Sequence, residues 1–281
     1  QQLQNKASQW VENFKKGHLN PLETTIAVRT TITKTLDYCL PATSLTRKQC
    51  QQVMTKLLPT ILPRMKVVRT LNREAVHLPR EYRGLGIKDL YTAQGIEHIK
   101  VLLRHGGQRT TTGKLLQTSL EHHALEAGYL TSIFRLPLVI IKNLTDSWFK
   151  STLLFMNEHH IIISNHSGTP HKWTHQDESI MQVLTDSEQF TQEEMAAINR
   201  CRLYLQVITT SDIVNDEGTL LQSALNLCAY DSNSSTAYDW PPQGKPNEND
   251  HRIWKQALHM MSRTTHNNPL QSLGPFQLLT E

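Results

Sequence analysis

The sequence predicts a mainly α-helical protein, a helical bundle followed by a second helical region with a few short strands. Three observations predict it. At least five segments repeat their apolar residues at helical spacing. Two segments open with the reciprocal pattern that closes a helix N-terminus, Thr46 with Gln49 and Thr191 with Glu194. The stretch that reads best as a strand is short, the β-branched run Ile161, Ile162 and Ile163.

Taken in order, Leu3, Trp10 and Phe14 stand near helical spacing. Gly17 ends that helix behind Lys15 and Lys16, whose charges suit a helix C-terminus. A second helix follows Pro21, with Ile26, Ile32, Leu36 and Leu40 as a partial stripe among many threonines, and Pro41 stops it. A third begins at the Thr46 cap and buries Cys50, Val53, Met54, Leu57 and Leu58. Pro59 and Pro63 are expected to break it. Residues 62–78 are basic and poor in turn residues. Gly84-Leu85-Gly86 then makes a tight connection into a helix from Thr92 to His105, whose apolar positions are Ile96, Ile99, Leu102 and Leu103. Gly106 and Gly107 end it.

Helical periodicity resumes from Gly113 to Ala127, and residues 131–176 carry little pattern. The clearest helix follows Thr191 and places Met195, Ile198, Arg202 and Leu205 on one side. Residues 231–250 are polar, bear Pro and Gly, and read as a loop. A last helix, expected to be capped by Asp250, carries Ile253, Trp254, Ala257, Leu258 and Met261. The expected division is residues 1–115, a helical region with a basic linker, and 116–281, a second helical region. No internal repeat occurs.

At 281 residues, 38% apolar and 19% charged, the composition is that of an ordinary globular protein. No run of about 18 apolar residues exists, so no membrane span is expected. The longest candidate, "FRLPLVII", is broken by Pro137. The chain opens on Gln1 with no signal peptide, so an internal piece of a longer protein is expected. Cys39, Cys50, Cys201 and Cys228 stand far apart without a CxxC pair, which suits a reducing, intracellular location, cytoplasmic or nuclear. The N-x-S/T triplets at Asn143, Asn165 and Asn233 are read as chance.

Catalytic spacing is missing. His159, His160, His166, His171 and His175 gather in sequence, but zinc needs ligands at short fixed spacings with a second cluster, and no such partner set follows. They are read as surface or structural histidines, and no metal site or cofactor is expected in this chain. Gly84-Leu85-Gly86 lacks the strand–loop–helix setting of a dinucleotide site. The acid pairs Asp177–Glu178 and Glu193–Glu194 are adjacent, so on a helix they point apart. There is no Asp-Asp pair such as a polymerase palm needs for its metals, so the chain is not expected to polymerise alone.

Charge is the strongest remaining signal. From Arg47 to Lys114 fourteen Lys or Arg face four acids, a local excess of ten. The whole chain carries only +4, so the remainder is net −6. That asymmetry fits a surface facing a polyanion, against the plainer reading of a solvated helix face.

The wording of two adjoining segments bears on the choice. "YCLPATSLTRKQCQQVMTKLLPTILPRM" followed by "HLPREYRGLGIKDLYTAQGIEHIKVLLRH" resembles the region after the palm in reverse transcriptases of non-LTR-type retroelements. There a helical thumb leads through a basic linker into a Gly-Gly-Leu-Gly-Ile-x-Asp-Leu segment. The matching residues are Gly84, Leu85, Gly86, Ile87, Asp89 and Leu90, and Arg83 replaces the first glycine. "INRCRLYLQVITTSDIVNDEG", "DWPPQGKP" and "HRIWKQAL" are similar to the remaining C-terminal part of such reading frames.

The resemblance implies a thumb-like bundle and a post-polymerase region that grip template–primer. The partners it implies are an RNA or RNA–DNA duplex and an upstream palm of the same polyprotein, which would hold the catalytic aspartates and their divalent metal. A duplex binder needs spaced cations on a rigid scaffold. The candidates are Arg47, Lys48, Lys56, Arg64, Lys66, Arg69, Arg73, Arg80, Arg83, Lys88, Lys100 and Arg104. Gly84 and Gly86 are expected to shape a turn anchored by Leu85, Ile87 and Leu90, with Arg80, Arg83 and Lys88 outward. The competing reading is a helical scaffold whose basic segment meets an acidic protein.

Overall fold

A computed structural model describes residues 2–163, 177–214, 220–228 and 240–263. In chain order the helices are α1 (Gln2–Lys16), α2 (Pro21–Ala27), α3 (Lys34–Cys39), α4 (Arg47–Arg64), α5 (Arg73–His77), α6 (Leu90–His105), α7 (Thr111–Ala127), α8 (Leu138–Asn143), α9 (Trp148–Glu158), α10 (Ile180–Asp186), α11 (Gln192–Leu205), α12 (Gln222–Leu225) and α13 (Glu248–Arg263). The protein is mainly α-helical. The expected short strands are not seen among the described residues, where only two isolated bridges occur, Ser179 with Thr209 and Val214 with Leu220. Ile161–Ile163 form no strand. β-Propensity needs a neighbouring edge to pair with, and the preceding "LLFMNE" is taken into α9, where Phe155 and Met156 are buried.

The chain divides into two compact units, Gln1–Gly106 with Asp146–Met156, and Gly107–Thr145 with Asn157–Glu281. The division falls at the end of α6, ahead of the expected position after residue 115, and most of α9 returns to the first unit. The return has specific contacts. Trp148 Nε1 donates to the Pro41 carbonyl at 2.9 Å. Thr152 Oγ1 lies 3.0 Å from His98 Nδ1. The Phe155 ring fills the space where a Gly95 side chain would stand, 2.3 Å from an added Cβ.

In the first unit, a π-helical turn over Val28–Thr33 joins α2 to α3 without a break. Threonine hydroxyls satisfy the widened turn from within, Thr33 donating to Val28 O and Thr30 to Ile26 O, each at 2.9 Å. The wider turn also cancels the angular drift of a four-residue repeat. Val28, Ile32, Leu36 and Leu40 therefore stay on one buried face, and Ile26, expected in that stripe, is exposed. The capping box of Thr46 and Gln49 forms as expected. Pro59 and Pro63 lie inside α4 and do not break it. Each internal proline costs about 3 kcal/mol. Leu57, Leu58, Ile61 and Leu62 are all buried there, at about 1.5–3 kcal/mol each, and outweigh that cost.

Helix α6 forms, capped by Asp89 Oδ2, which accepts from Thr92 N at 2.9 Å. Its buried face shares only Leu102 with the expected apolar positions. Leu90, Gln94, Gly95, His98 and Leu102 face the core, while Ile96 and Leu103 are exposed. Burial of the polar pair is compensated bond by bond. Gln94 accepts from Leu45 N and Thr43 Oγ1 and donates to Leu45 O, all at 2.9–3.1 Å. His98 Nε2 donates to Thr43 O at 2.7 Å, so this nitrogen carries a proton.

In the second unit, the capping box of Thr191 and Glu194 opens α11, and the four residues expected on one side, Met195, Ile198, Arg202 and Leu205, are all buried. α13 packs on α11 through Ile253, Trp254, Ala257 and Leu258. Its cap is Asn247, whose Oδ1 accepts from Asp250 N at 2.8 Å. The expected cap, Asp250, is instead buried and takes a two-pronged bond from Arg200 at 2.7 and 2.9 Å. A fully buried guanidinium ties the unit together. Arg202 donates to the Leu125 and Glu126 carbonyls at 2.7 Å, to Val207 O at 2.9 Å and to Asn199 Oδ1 at 2.8 Å. The first two belong to the last turn of α7, the negative end of its dipole. Gly128 passes so close that an added Cβ would lie 2.5 Å from Arg202 Cζ. Burial lowers the Arg202 pKa to about 9, which leaves it charged at neutral pH.

Arg202→Met strands the Leu125 and Val207 carbonyls, while Glu126 O keeps its bond from Asn199 Nδ2 at 2.9 Å, and is expected to lower stability by about 3–5 kcal/mol. An unchanged urea midpoint would show that the guanidinium does not hold α7 to α11. Burial pushes the His98 imidazole below its ordinary value of 6.5. Its contribution is therefore present above that value and lost as pH falls through it, because the unfolded chain takes up the proton first. The urea midpoint is expected to drop from pH 7.5 to pH 5, and to drop less in His98→Gln.

Candidate nucleic-acid interface

The basic segment is built on a short stack of backbone. After α5 the chain turns and residues 84–87 run back along the helix they have just left. Leu85 N donates to Ala75 O, Gly86 N to Leu78 O and Ile87 N to Val76 O, at 3.0–3.1 Å. Gly84 passes the Leu78 backbone so closely that an added Cβ would stand 2.0 Å from its carbonyl oxygen. Gly86 has φ +67°, the left-handed region that glycine enters without strain. Arg83 occupies the same region, φ 62°, without that freedom. Ile87 and Leu90 are buried, Leu85 packs against the same core, and His77 Nδ1 donates to Ile87 O at 2.7 Å. Arg80, Arg83 and Lys88 are exposed.

The twelve candidate cations fall into two groups. Five are engaged within the first unit. Arg64 donates to the Gly17 and Lys15 carbonyls at 2.7 and 3.1 Å and so closes the C-terminus of α1. Lys88 pairs with Asp37 at 2.7 Å, and Lys100 with Glu97 at the same distance. Lys56 donates to Ser8 Oγ at 3.3 Å. The Arg47 guanidinium lies over the Tyr91 ring, 4.6 Å from its centroid.

Lys48, Lys66, Arg69, Arg73, Arg80, Arg83 and Arg104 are exposed and carry no ion pair or side-chain hydrogen bond among the described residues. Five of these seven fall between residues 66 and 83, on the connection from α4 through α5 to the glycine turn. Lys48 and Lys56 border an open groove between α1 and α4, lined also by Gln4, Gln51, Gln52 and Thr55.

Arg29, outside the expected set, stands with this group. It is half-buried on the π-helical turn and donates from Nη2 to Leu85 O at 3.4 Å. Burial and the neighbouring Arg80 lower its pKa. The only sequence signal was a cation set directly beside the buried position Val28, in a helix otherwise rich in threonine.

The other polar candidates have structural duties. Asp177 accepts from Thr210 Oγ1 and from Ser211 Oγ and N. Glu194 completes its capping box. Burial raises the Cys50 and Cys201 thiols to about 12, so neither is a ready nucleophile. His159 and His160 close α9, while His166, His171 and His175 lie outside the described residues. Among the described residues no three His, Cys, Asp or Glu side chains come together in metal-binding geometry. No described helix is long and apolar enough to cross a membrane.

No known protein family, curated protein or solved structure matches the chain.

Arg64 separates structural from available charge. Arg64→Ala leaves the last α1 carbonyls unpaired and is expected to cost about 1–3 kcal/mol in a urea melt. The slope of duplex affinity against salt should stay that of the parent protein. A flattened slope with unchanged stability would place Arg64 among the available cations.

Proposed function

We propose that this chain is a non-catalytic, thumb-like C-terminal part of a retroelement reverse transcriptase, and that its first unit grips template–primer nucleic acid. The observation that carries the reading is the set Lys66, Arg69, Arg73, Arg80 and Arg83, five exposed cations in no ion pair among the described residues, on a connection pinned by Gly84 and Gly86. The wording of residues 77–105 and the helical architecture are consistent with it. Such a surface meets phosphates and not base edges, so it holds a duplex by shape and charge whatever its sequence. An RNA-containing duplex, with its wide and shallow minor groove, suits backbone contact of this kind. In this reading, chemistry belongs to a palm of the same polyprotein, and the present chain contributes grip.

The test is anisotropy of a labelled RNA–DNA duplex over a salt series. The parent protein is expected to show a steep log–log slope that does not depend on sequence. The quadruple Ala variant of Lys66, Arg69, Arg73 and Arg83 should flatten it by about 0.9 for each phosphate that is no longer neutralised. No duplex affinity at low salt, together with binding to an acidic protein, would replace this reading with the scaffold.

A further inference from the structure

Two arginine side chains from separate elements flank the glycine turn. Arg29 comes from the π-helical turn and Arg80 from the start of the loop after α5. Around the point where a Gly86 Cβ would stand, Arg29 Nη2 is at 3.7 Å and Arg80 Cγ at 3.5 Å. Nothing fills that point, because residue 86 has no side chain. Arg29 spends one N–H on Leu85 O, and Arg80 has no partner among the described residues. Asp37, an acid on the neighbouring helix α3, is already held by Lys88 at 2.7 Å. Like charges so placed repel, and burial together with the neighbouring Arg80 charge weakens the hold of Arg29 on its proton.

We propose that Arg29 and Arg80 form a two-sided clamp for one phosphate group of the bound nucleic-acid backbone, seated over Gly86. This rests on the reading of the first unit as a nucleic-acid grip and names the point where the grip is tightest. A phosphate oxygen pair matches the fork of a guanidinium, and one phosphate between two forks turns their repulsion into attraction. The bare Gly86 lets the phosphate approach the backbone. Arg29 is held by Leu85 O before the ligand arrives, so little ordering is left for binding to supply.

A double-mutant cycle tests this. Duplex affinity is measured at fixed salt for the parent, Arg29→Gln, Arg80→Gln and the double variant, with melting curves on each. Either single change is expected to weaken binding about tenfold, and the double change by no more than either alone, because one phosphate needs both sides. Arg80→Gln removes no internal hydrogen bond and keeps the test valid if Arg29→Gln destabilises the turn. Losses that multiply to about a hundredfold would mean two separate phosphates and overturn the clamp. Unchanged affinity would overturn it too, while the quadruple Ala result on Lys66, Arg69, Arg73 and Arg83 would still judge the wider grip by itself. In a second arm, inorganic phosphate is compared with chloride at matched ionic strength. If phosphate raises the melting point of the parent but not of Arg80→Gln, while duplex affinity ignores both residues, the site takes free phosphate and the backbone assignment is wrong.

Discussion

The passage of Gly84 against the Leu78 backbone is the constraint on which the basic surface rests. α5 has only five residues, too short to hold itself in water. It persists because residues 84–87 return along it, donating three backbone hydrogen bonds to its carbonyls and to Leu78. That return is sterically open only to a residue without a side chain at position 84. Leu85, Ile87 and Leu90 then reach the core and fix the loop from below. Arg80 and Arg83 are left outside on a backbone that has little freedom to move. The left-handed conformation of Arg83 is a local strain accepted for that geometry.

The same residue type does three different jobs in this protein, and nearby carbonyls decide which. Arg202, wholly enclosed, meets four acceptors from α7, α11 and the segment after it. Arg64, half-buried, meets two carbonyls at the end of α1 and acts as its cap. Arg73 and Arg83 meet none among the described residues and keep their charge for solvent or for a ligand. The ion pairs Lys88–Asp37 and Lys100–Glu97 are partly exposed, and pairs of that kind contribute about 0–1 kcal/mol. Their larger effect is to remove two cations from the available set.

α6 shows how a polar pair overrides a hydrophobic pattern. Gln94 spans both backbone groups of Leu45, and His98 joins Thr43 to Thr152. With those bonds made, burying the amide and the imidazole carries little penalty. Gly95 opens room for the Phe155 ring on the same face. The isoleucine and leucine at positions 96 and 103 are turned outward as a result.

What the sequence determined by itself is local. The boxes Thr46–Gln49 and Thr191–Glu194, the stripes of α11 and α13, and the need for glycine at 84 and 86 depend on groups a few residues apart, so they could be read directly. What only the tertiary structure decided depends on partners far along the chain. Pro59 and Pro63 stay helical because of burial that no nearby residue announces. Ile161 to Ile163 form no strand because no edge among the described residues is offered to them. Most of α9 joins the first unit through Pro41, Gly95 and His98, more than forty positions away. Arg64 is taken from the basic face, and Arg29 brought to it, by the carbonyls of Gly17 and Leu85. A cation's duty is set by which acceptors the fold carries to it, and that is a property of packing that charge and spacing do not encode.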